Sequence, residues 1–113
     1  MEYGTIAVCE DPFVRKLVRD VLSRRGYRVI GTDVHQAVDL IRSGEEQVSL
    51  VITNNPEEFM DFAETLPILY MAAAPDEAIA SQFRACLTLR KPFTTQDLVD
   101  AVGALVAEGA LVH

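Results

Sequence analysis

A thiol, two carboxylates and a lysine are the side chains of this chain whose types and positions best suit chemistry. Cys9, Glu10 and Asp11 follow one another directly after a short apolar run, and Lys91 follows another such run. A thiolate is a nucleophile, carboxylates hold divalent cations, and an ammonium group offsets negative charge that develops during a reaction. Gathered in one pocket, groups of these kinds would suit phosphoryl transfer.

Apolar runs alternate with helical stripes five times, and this alternation predicts a fold that gathers these side chains. Short continuous apolar runs are typical of strands covered on both faces. The strands are predicted at 5–9, 27–31, 48–53, 68–71 and 87–90. Strands that alternate with helices form a parallel sheet between two helix layers, with the ligand crevice beyond the carboxyl ends of the strands. The residues that follow the strands, and so line that crevice, are those at 9–11, 54–55, 72–73 and 91.

The helices have recognisable ends. Asp11 and Pro12 predict the start of the first helix, as N-cap and first helical residue, and Gly26 predicts its end. Its apolar stripe is predicted to comprise Phe13, Leu17, Val18, Val21 and Leu22. A short helix after Pro56 is predicted to bury Phe59, Phe62 and Leu66. The fourth helix is predicted over 76–84, and Thr94 with Asp97 resembles a capping box for the last one.

Length and composition predict one cytoplasmic domain over residues 1–113. The chain has 113 residues and 50% hydrophobic content, enough for a single core. Its net charge of -7 argues against nucleic-acid binding by this domain. No apolar run approaches the ~20 residues that cross a bilayer, and the first residues do not form a secretory signal. Two cysteines, Cys9 and Cys86, are typical of reduced, buried thiols and form no disulfide framework.

Six of the ten basic residues are concentrated between Arg15 and Arg28. The first interpretation is a solvated helix face. The alternative is a docking patch for an acidic protein partner. The sequence leaves both open.

The segment Leu89-Arg90-Lys91-Pro92-Phe93-Thr94-Thr95-Gln96-Asp97-Leu98 closely resembles the end of a response-regulator receiver domain. There the last strand delivers a lysine, a proline turns the chain and the last helix begins. The resemblance covers almost the whole chain. It implies a flavodoxin-like three-layer sandwich, with a five-stranded parallel sheet of order 2-1-3-4-5 and five helices. It also implies a cis peptide bond before Pro92. The segments 54–67 and 72–91 are shorter than is usual in the family, so the third and fourth helices are expected to be short.

Carried over residue by residue, the resemblance implies a phosphorylation pocket that has lost most of its groups. The family has two acids at positions three and two before the helix-opening proline, and counting back from Pro12 gives Cys9 and Glu10. The acceptor aspartate is replaced by Asn54, whose amide is a poor nucleophile and cannot form an acyl phosphate. Ala72 stands where the family has Ser or Thr. At the position of the switch aromatic the residue is Thr88.

Only Glu10, Lys91 and Pro92 keep the family's pattern. Asp11 comes one position too late to be the second acid and is expected to cap the helix. Lys91 is expected to pair with Glu10, and Asn54 to hydrogen-bond to Lys91 or to loop amides. No cofactor and no metal site are expected, and Glu10 is only a weak candidate ligand for Mg²⁺.

The function that follows is a phosphorylation-independent receiver domain, a pseudo-receiver, in bacterial two-component signalling. It is expected to be a protein-interaction module held near one conformation, and not an enzyme. The partner is expected to be a histidine kinase, an output protein or a second copy, bound through the basic face of the first helix or the face of the last strand and helix. Neither nucleic acid nor a membrane is expected as a partner of this domain.

Two alternatives remain open. One is a phosphorylatable receiver with an unusual acceptor such as Asp11, although a shift of one position turns that side chain to the other side of the chain. The other is a phosphatase or phosphotransfer domain, because the spacing of Cys9 and Arg15 resembles the phosphate loop of low-molecular-weight tyrosine phosphatases. Against it, Glu10 and Asp11 would repel phosphate and raise the pKa of the thiol, and Pro12 removes an amide donor.

Overall fold

Five parallel strands in the order β2-β1-β3-β4-β5 form the sheet of the computed structural model, which describes residues 4–112 and the side chains of 4–107. Four α-helices and one 3-10 helix accompany the sheet in this range. The elements are β1 Thr5–Cys9, α1 Pro12–Arg24, β2 Val29–Gly31, α2 Val34–Ser43, β3 Val48–Thr53, the 3-10 helix Pro56–Phe62, β4 Ile68–Ala72, α3 Glu77–Ala80, β5 Cys86–Arg90 and α4 Thr95–Val112. The predicted fold class, strand order and short third and fourth helices are confirmed.

The central strands β1, β3 and β4 are largely buried on both faces, as their continuous apolar residues predicted, whereas the edge strands β2 and β5 are only partly buried. Every residue of β1 is buried. On one face, Ile52 packs with Leu22 of α1 and Leu98 of α4. On the other face, Val51 packs with Ala37 of α2 and with Phe59 of the 3-10 helix. The candidate site residues that follow the strands are therefore held at the end of a well-packed three-layer core.

The predicted helix caps are present. The carboxylate of Asp11 accepts hydrogen bonds from the backbone N–H groups of Phe13 and Val14, both at 3.1 Å. The hydroxyl of Thr94 accepts from the N–H of Asp97 at 3.0 Å, and the carboxylate of Asp97 accepts from the N–H of Thr94 at 3.1 Å. The capping box holds the start of α4 directly after the segment that carries Lys91.

The predicted helix over 76–84 was too long. The structure has a single turn, Glu77–Ala80, capped by the carboxylate of Asp76. Beyond it the chain leaves the helix axis, because Phe83 enters the core and the N–H of Arg84 donates to the carbonyl of Ala63 at 2.9 Å. At the sheet itself, β2 begins two residues later than predicted and β5 one residue earlier.

Two residues of the predicted α1 stripe lie outside the core. Phe13 is 80% exposed and Leu17 is 43% exposed. The residues that face the sheet are Val14, Val18, Val21 and Leu22. Phe13 and Leu17 are one position out of register with these residues, so the helix turns them towards solvent.

Candidate functional site

A buried ion pair occupies the carboxyl end of the sheet. The ammonium Nζ of Lys91 lies 2.7 Å from Oε1 of Glu10 and donates a hydrogen bond to it. Glu10 follows β1 and Lys91 follows β5, so the lysine side chain reaches across the ends of the intervening strands. The side chain of Glu10 is fully buried, whereas that of Lys91 is 26% exposed. The predicted pairing is confirmed.

Burial governs the electrostatics of Glu10. Desolvation raises the pKa of its carboxyl, and the hydrogen bond and charge of Lys91 act in the opposite direction without cancelling the effect. The second oxygen, Oε2, is buried and has no hydrogen-bond partner among the described residues. Among the described residues, Lys91 is thus the single partner that stabilises the charge of the buried carboxylate.

Asn54 stands at the same edge of the sheet but takes no part in this pair. It follows Thr53, which is in register with Cys9 in the parallel pairing of β1 and β3. Asn54 is exposed, and its side chain makes no hydrogen bond to any residue in the described part of the chain. The expectation that it bonds to Lys91 or to loop amides was wrong, because the Lys91 ammonium is directed to Glu10 instead.

The backbone around Lys91 fixes the position of its side chain. The N–H of Lys91 donates to the carbonyl of Ala72 at 2.8 Å, continuing the pairing of β4 with β5. The peptide bond between Lys91 and Pro92 is cis, as the resemblance implied. Ala72, partly buried, offers only a methyl group to the site. Thr88 is partly buried and lies in register with Tyr70 within the sheet.

Cys9 is a buried thiol. It is only 4% exposed, and its Sγ donates to the backbone carbonyl of Asp33 at 3.9 Å. Burial, followed by the charge of Asp33, raises the pKa of Cys9 to about 12, although Arg15 acts to lower it. The thiol is therefore protonated at neutral pH, which is the wrong state for the nucleophile of a phosphatase.

Cys9 is expected to resist alkylation in the folded protein. With a pKa of about 12 instead of 9.0, its thiolate fraction is roughly a thousandfold lower than that of an ordinary cysteine. Iodoacetamide at pH 8, followed by peptide mass spectrometry, should modify Cys9 only in denaturant, which serves as the control for reagent activity. Fast labelling of native Cys9 would show that an accessible thiolate exists.

The fold also matches solved structures. With the response regulator receiver protein from Sinorhizobium medicae, the TM-score is 0.72 at 21% identity, over 94% of this chain and 96% of that one. With a chemotaxis response regulator of Vibrio cholerae it is 0.74 at 17% identity, over 93% and 99%. With a two-component response regulator from Clostridium difficile it is 0.74 at 14% identity, over 93% and 97%. The chain has the receiver-domain fold.

Comparisons of the sequence gave no match, either to a protein-family model or to a curated protein. The receiver fold is therefore established through three-dimensional similarity. Within residues 4–112, no helix is both long and apolar enough to cross a membrane.

The residues in the receiver fold's crevice do not fit Mg²⁺. This ion requires near-octahedral oxygen coordination and is usually held by one or two carboxylates. Among the described residues of the crevice, Glu10 carries the one carboxylate that does not cap a helix. The ammonium group of Lys91 already neutralises its charge. The carboxylate of Asp11 accepts from the α1 amides, and Cys9 offers a protonated thiol. No reaction step through a metal follows from this arrangement.

The sequence did not indicate a cleft of about 330 Å³ between α2 and the 3-10 helix of the receiver fold. Arg42 lines this cleft, with its guanidinium 2.8 Å from a carboxylate oxygen of Asp61 and 5.9 Å from the centre of the Phe62 ring. These residues come from two different elements and form no motif along the chain. No pattern in the sequence could have signalled them.

Proposed function

We propose that this chain is a phosphorylation-independent receiver domain that acts as a protein-interaction module in bacterial two-component signalling. The observation that carries the proposal is the ion pair of Glu10 and Lys91, together with the amide side chain of Asn54 at the acceptor position. The fold it shares with response regulators supports the signalling context. The domain is proposed to be cytoplasmic and not an enzyme.

The chemistry of the pocket argues against phosphorylation. An acyl phosphate forms on a carboxylate, and the amide of Asn54 has no such oxygen nucleophile. The lysine that would offset the charge of a phosphoryl group is already hydrogen-bonded to Glu10 at 2.7 Å. Ala72 has no hydroxyl with which to bind the group and move the neighbouring loop. The domain is accordingly proposed to stay near one conformation.

The exposed side of α1 supports an interaction role. Phe13 and Leu17 lie one turn apart and are both exposed, so they form a small apolar area on the outer side of α1. We call them, with the exposed Arg24 two turns further along, the first-helix patch. No ion pair engages Arg24 within the described residues, whereas Lys16 pairs with Asp20 at 3.0 Å. An apolar and basic patch of this kind suits an acidic protein partner such as a kinase or an output protein.

The first test is incubation with acetyl phosphate and Mg²⁺, followed by intact-mass spectrometry. The native chain is expected to show no added mass, because no carboxylate stands at the acceptor position. A stoichiometric gain of one phosphoryl group would overturn the proposal. The matched control is the triple variant Asn54→Asp, Ala72→Thr, Cys9→Asp, checked for folding by circular dichroism. Phosphorylation of this variant would show that the substitutions alone closed the pocket, and an inert variant would implicate the short segment after Asn54 as well.

Amide NMR titration gives a second, independent measurement. Addition of Mg²⁺ and then beryllofluoride, a phosphoryl mimic, is expected to leave the signals of Glu10, Asn54 and Lys91 unmoved. Saturable shifts at these residues would show that the crevice still binds a metal or an anion. In that case the assignment of Asn54 as a lost acceptor would be wrong.

A further inference from the structure

The outer edge of β5 is a free sheet edge without the usual protection. β5 is the terminal strand of the described sheet and pairs only with β4. The pairing continues over all five residues without a register shift. Sheet edges are normally blunted by charge, proline or a bulge, because their unpaired backbone groups recruit other strands. Cys86-Leu87-Thr88-Leu89 contains none of these, and the first charged residue is Arg90.

The backbone groups on this edge belong to alternate residues. The carbonyl of Ala85 accepts from the N–H of Ile68 at 2.9 Å, and the N–H of Lys91 donates to the carbonyl of Ala72 at 2.8 Å. Residues along a strand direct their backbone groups to its two sides in turn. The odd-numbered residues of β5 therefore direct their backbone N–H and C=O groups towards β4. The even-numbered ones, Cys86, Thr88 and Arg90, direct their N–H and C=O groups outwards.

The short α3 leaves this edge open. The helix is one turn long, and Ala80 and Ile79 pack on the face of the sheet that also receives Cys86. Leu87, on the opposite face, remains 36% exposed. No described element pairs with the outer side of β5. The outer side of β5 is therefore unpaired in the described structure.

Charges at the two ends of the strand complement each other. The carboxylate of Glu77 lies close enough to Cys86 to contribute, after burial, to raising the pKa of that thiol to about 11. Arg90 is exposed at the other end. Neither Glu77 nor Arg90 has an ion-pair partner in the described part of the chain. If a second β5 runs antiparallel, the Arg90 end of each strand meets the Glu77 end of the other.

We propose that two copies of this chain associate through their β5 edges, antiparallel, with Thr88 facing Thr88 of the second copy across a two-fold axis. In this register Cys86 of each copy lies opposite Arg90 of the other. The three resulting pairs, two of Cys86 with Arg90 and one of Thr88 with Thr88, all join residues whose backbone groups face outwards. Each pair exchanges two backbone hydrogen bonds, and the two sheets become one. Directly opposite side chains share a face, so Arg90 lies opposite Cys86 of the other copy, on the face that also carries α3 with Glu77.

A second copy fits this edge better than an unrelated strand. A two-fold interface requires a surface that is complementary to itself. The outward groups at 86, 88 and 90 are symmetric about Thr88, and the opposite charges of Glu77 and Arg90 are exchanged by the same axis. This inference names one partner for the interaction role proposed above. It rests on that role alone and not on the absence of phosphorylation.

The first test is sedimentation equilibrium of the native chain over a range of concentrations up to the millimolar. The apparent mass is expected to rise to twice the monomer mass. Thr88→Lys places two ammonium groups opposite each other on the axis and should weaken dimerisation at least tenfold. Ser23→Lys adds the same charge to the exposed side of α1 and should leave the mass curve unchanged. A native chain that stays monomeric throughout would overturn the proposal, as would a dimer that Thr88→Lys does not weaken.

Disulfide trapping tests the register. In a Cys86→Ser background, Thr88→Cys is expected to form a covalent dimer under mild oxidation. Opposite residues of a hydrogen-bonded antiparallel pair have Cα atoms about 5.5 Å apart, within the span of a disulfide. The matched control, Leu87→Cys in the same background, faces Leu89 of the other copy and should not crosslink. Equal crosslinking of both variants, or crosslinking of Leu87→Cys alone, would contradict this register.

Amide hydrogen exchange tests the same register without a substitution. Protection of the N–H groups of Cys86, Thr88 and Arg90 is expected to rise with protein concentration. The N–H groups of Leu87 and Leu89 should be protected at every concentration, because they face β4. Protection that does not alternate would refute the pairing. A failed dimer leaves the acetyl phosphate result unchanged, and a phosphorylated chain leaves these exchange data unchanged, so the two proposals can fail separately.

Discussion

Replacing Lys91 with methionine is expected to destabilise the protein by about 3 kcal/mol, whereas Glu10→Gln should cost under about 1 kcal/mol. The asymmetry follows from burial, because the Glu10 side chain is fully buried and that of Lys91 is 26% exposed. Removing the lysine leaves a carboxylate without a partner in the interior. Removing the carboxylate leaves an ammonium group that can reach water. Urea unfolding of the two variants measures both changes.

The loss caused by Lys91→Met should depend on pH. Burial already raises the pKa of Glu10, and Lys91 supplies the largest effects that lower it. Without Lys91 the folded-state pKa rises further above the unfolded value. Between the two pKa values, the folded state binds a proton that the unfolded state has already released. The variant is therefore most stable below the ordinary glutamate pKa, and it loses stability as the pH rises through the folded-state pKa. The variant should therefore lie nearer the native protein at pH 4 than at pH 7.

Lys16→Met is the matched control for this prediction. Lys16 also pairs with a carboxylate, that of Asp20 at 3.0 Å, but its side chain is 72% exposed. Exposed pairs contribute little, so the change should be far smaller than that of Lys91→Met at pH 7. Equal effects of the two substitutions would show that the Glu10 carboxylate finds another partner or takes up water.

The second large effect is expected from Phe59→Ala, which should cost about 3–5 kcal/mol. Phe59 is fully buried in the 3-10 helix and packs against the sheet beside Leu66 and Tyr70. Truncation removes the buried ring and leaves a cavity that the short helix cannot close. The expected loss is a large part of the roughly 5–15 kcal/mol that stabilises a typical domain.

The chain supplies its own control for Phe59. Phe13 is 80% exposed, and only its backbone N–H is used in the helix cap. Phe13→Ala should change the free energy of unfolding by less than about 0.5 kcal/mol. Thermal or urea unfolding of the two variants makes the comparison. A similar loss in both would mean that Phe13 is covered in solution, as it would be if the first-helix patch were an interface.

The sequence predicted the parts of this fold that depend on local or strongly periodic signals. Asp11, Pro12 and the pair Thr94 and Asp97 indicated their helix ends correctly because a cap is a contact between near neighbours. Buried strands such as Val48–Thr53 were evident from continuous apolar residues. The pairing of Glu10 with Lys91 spans 81 residues and was predicted only through the resemblance to receiver domains.

The error over 76–84 arose because tertiary contacts overrode local preference. The composition of 76–84 favours a helix, but Phe83 and Arg84 are drawn to the core and to Ala63, which ends α3 after one turn. Phe13 looked like a core residue because a large apolar side chain usually is one. Asn54 was expected to bond within the crevice, and nothing along the chain showed that it points to solvent.

The pairing of Lys91 with Glu10 also has a consequence for folding of the chain during its synthesis. The carboxylate of Glu10 directly follows β1, and the only side chain that pairs with it in the described structure lies 81 residues later, after β5. Domains fold while chains grow at about 5–20 residues per second. Before β5 has been synthesised, packing of the earlier strands would bury the Glu10 carboxylate without its partner, which costs free energy. The ion pair therefore makes burial of the Glu10 carboxylate more favourable once β5 has been synthesised.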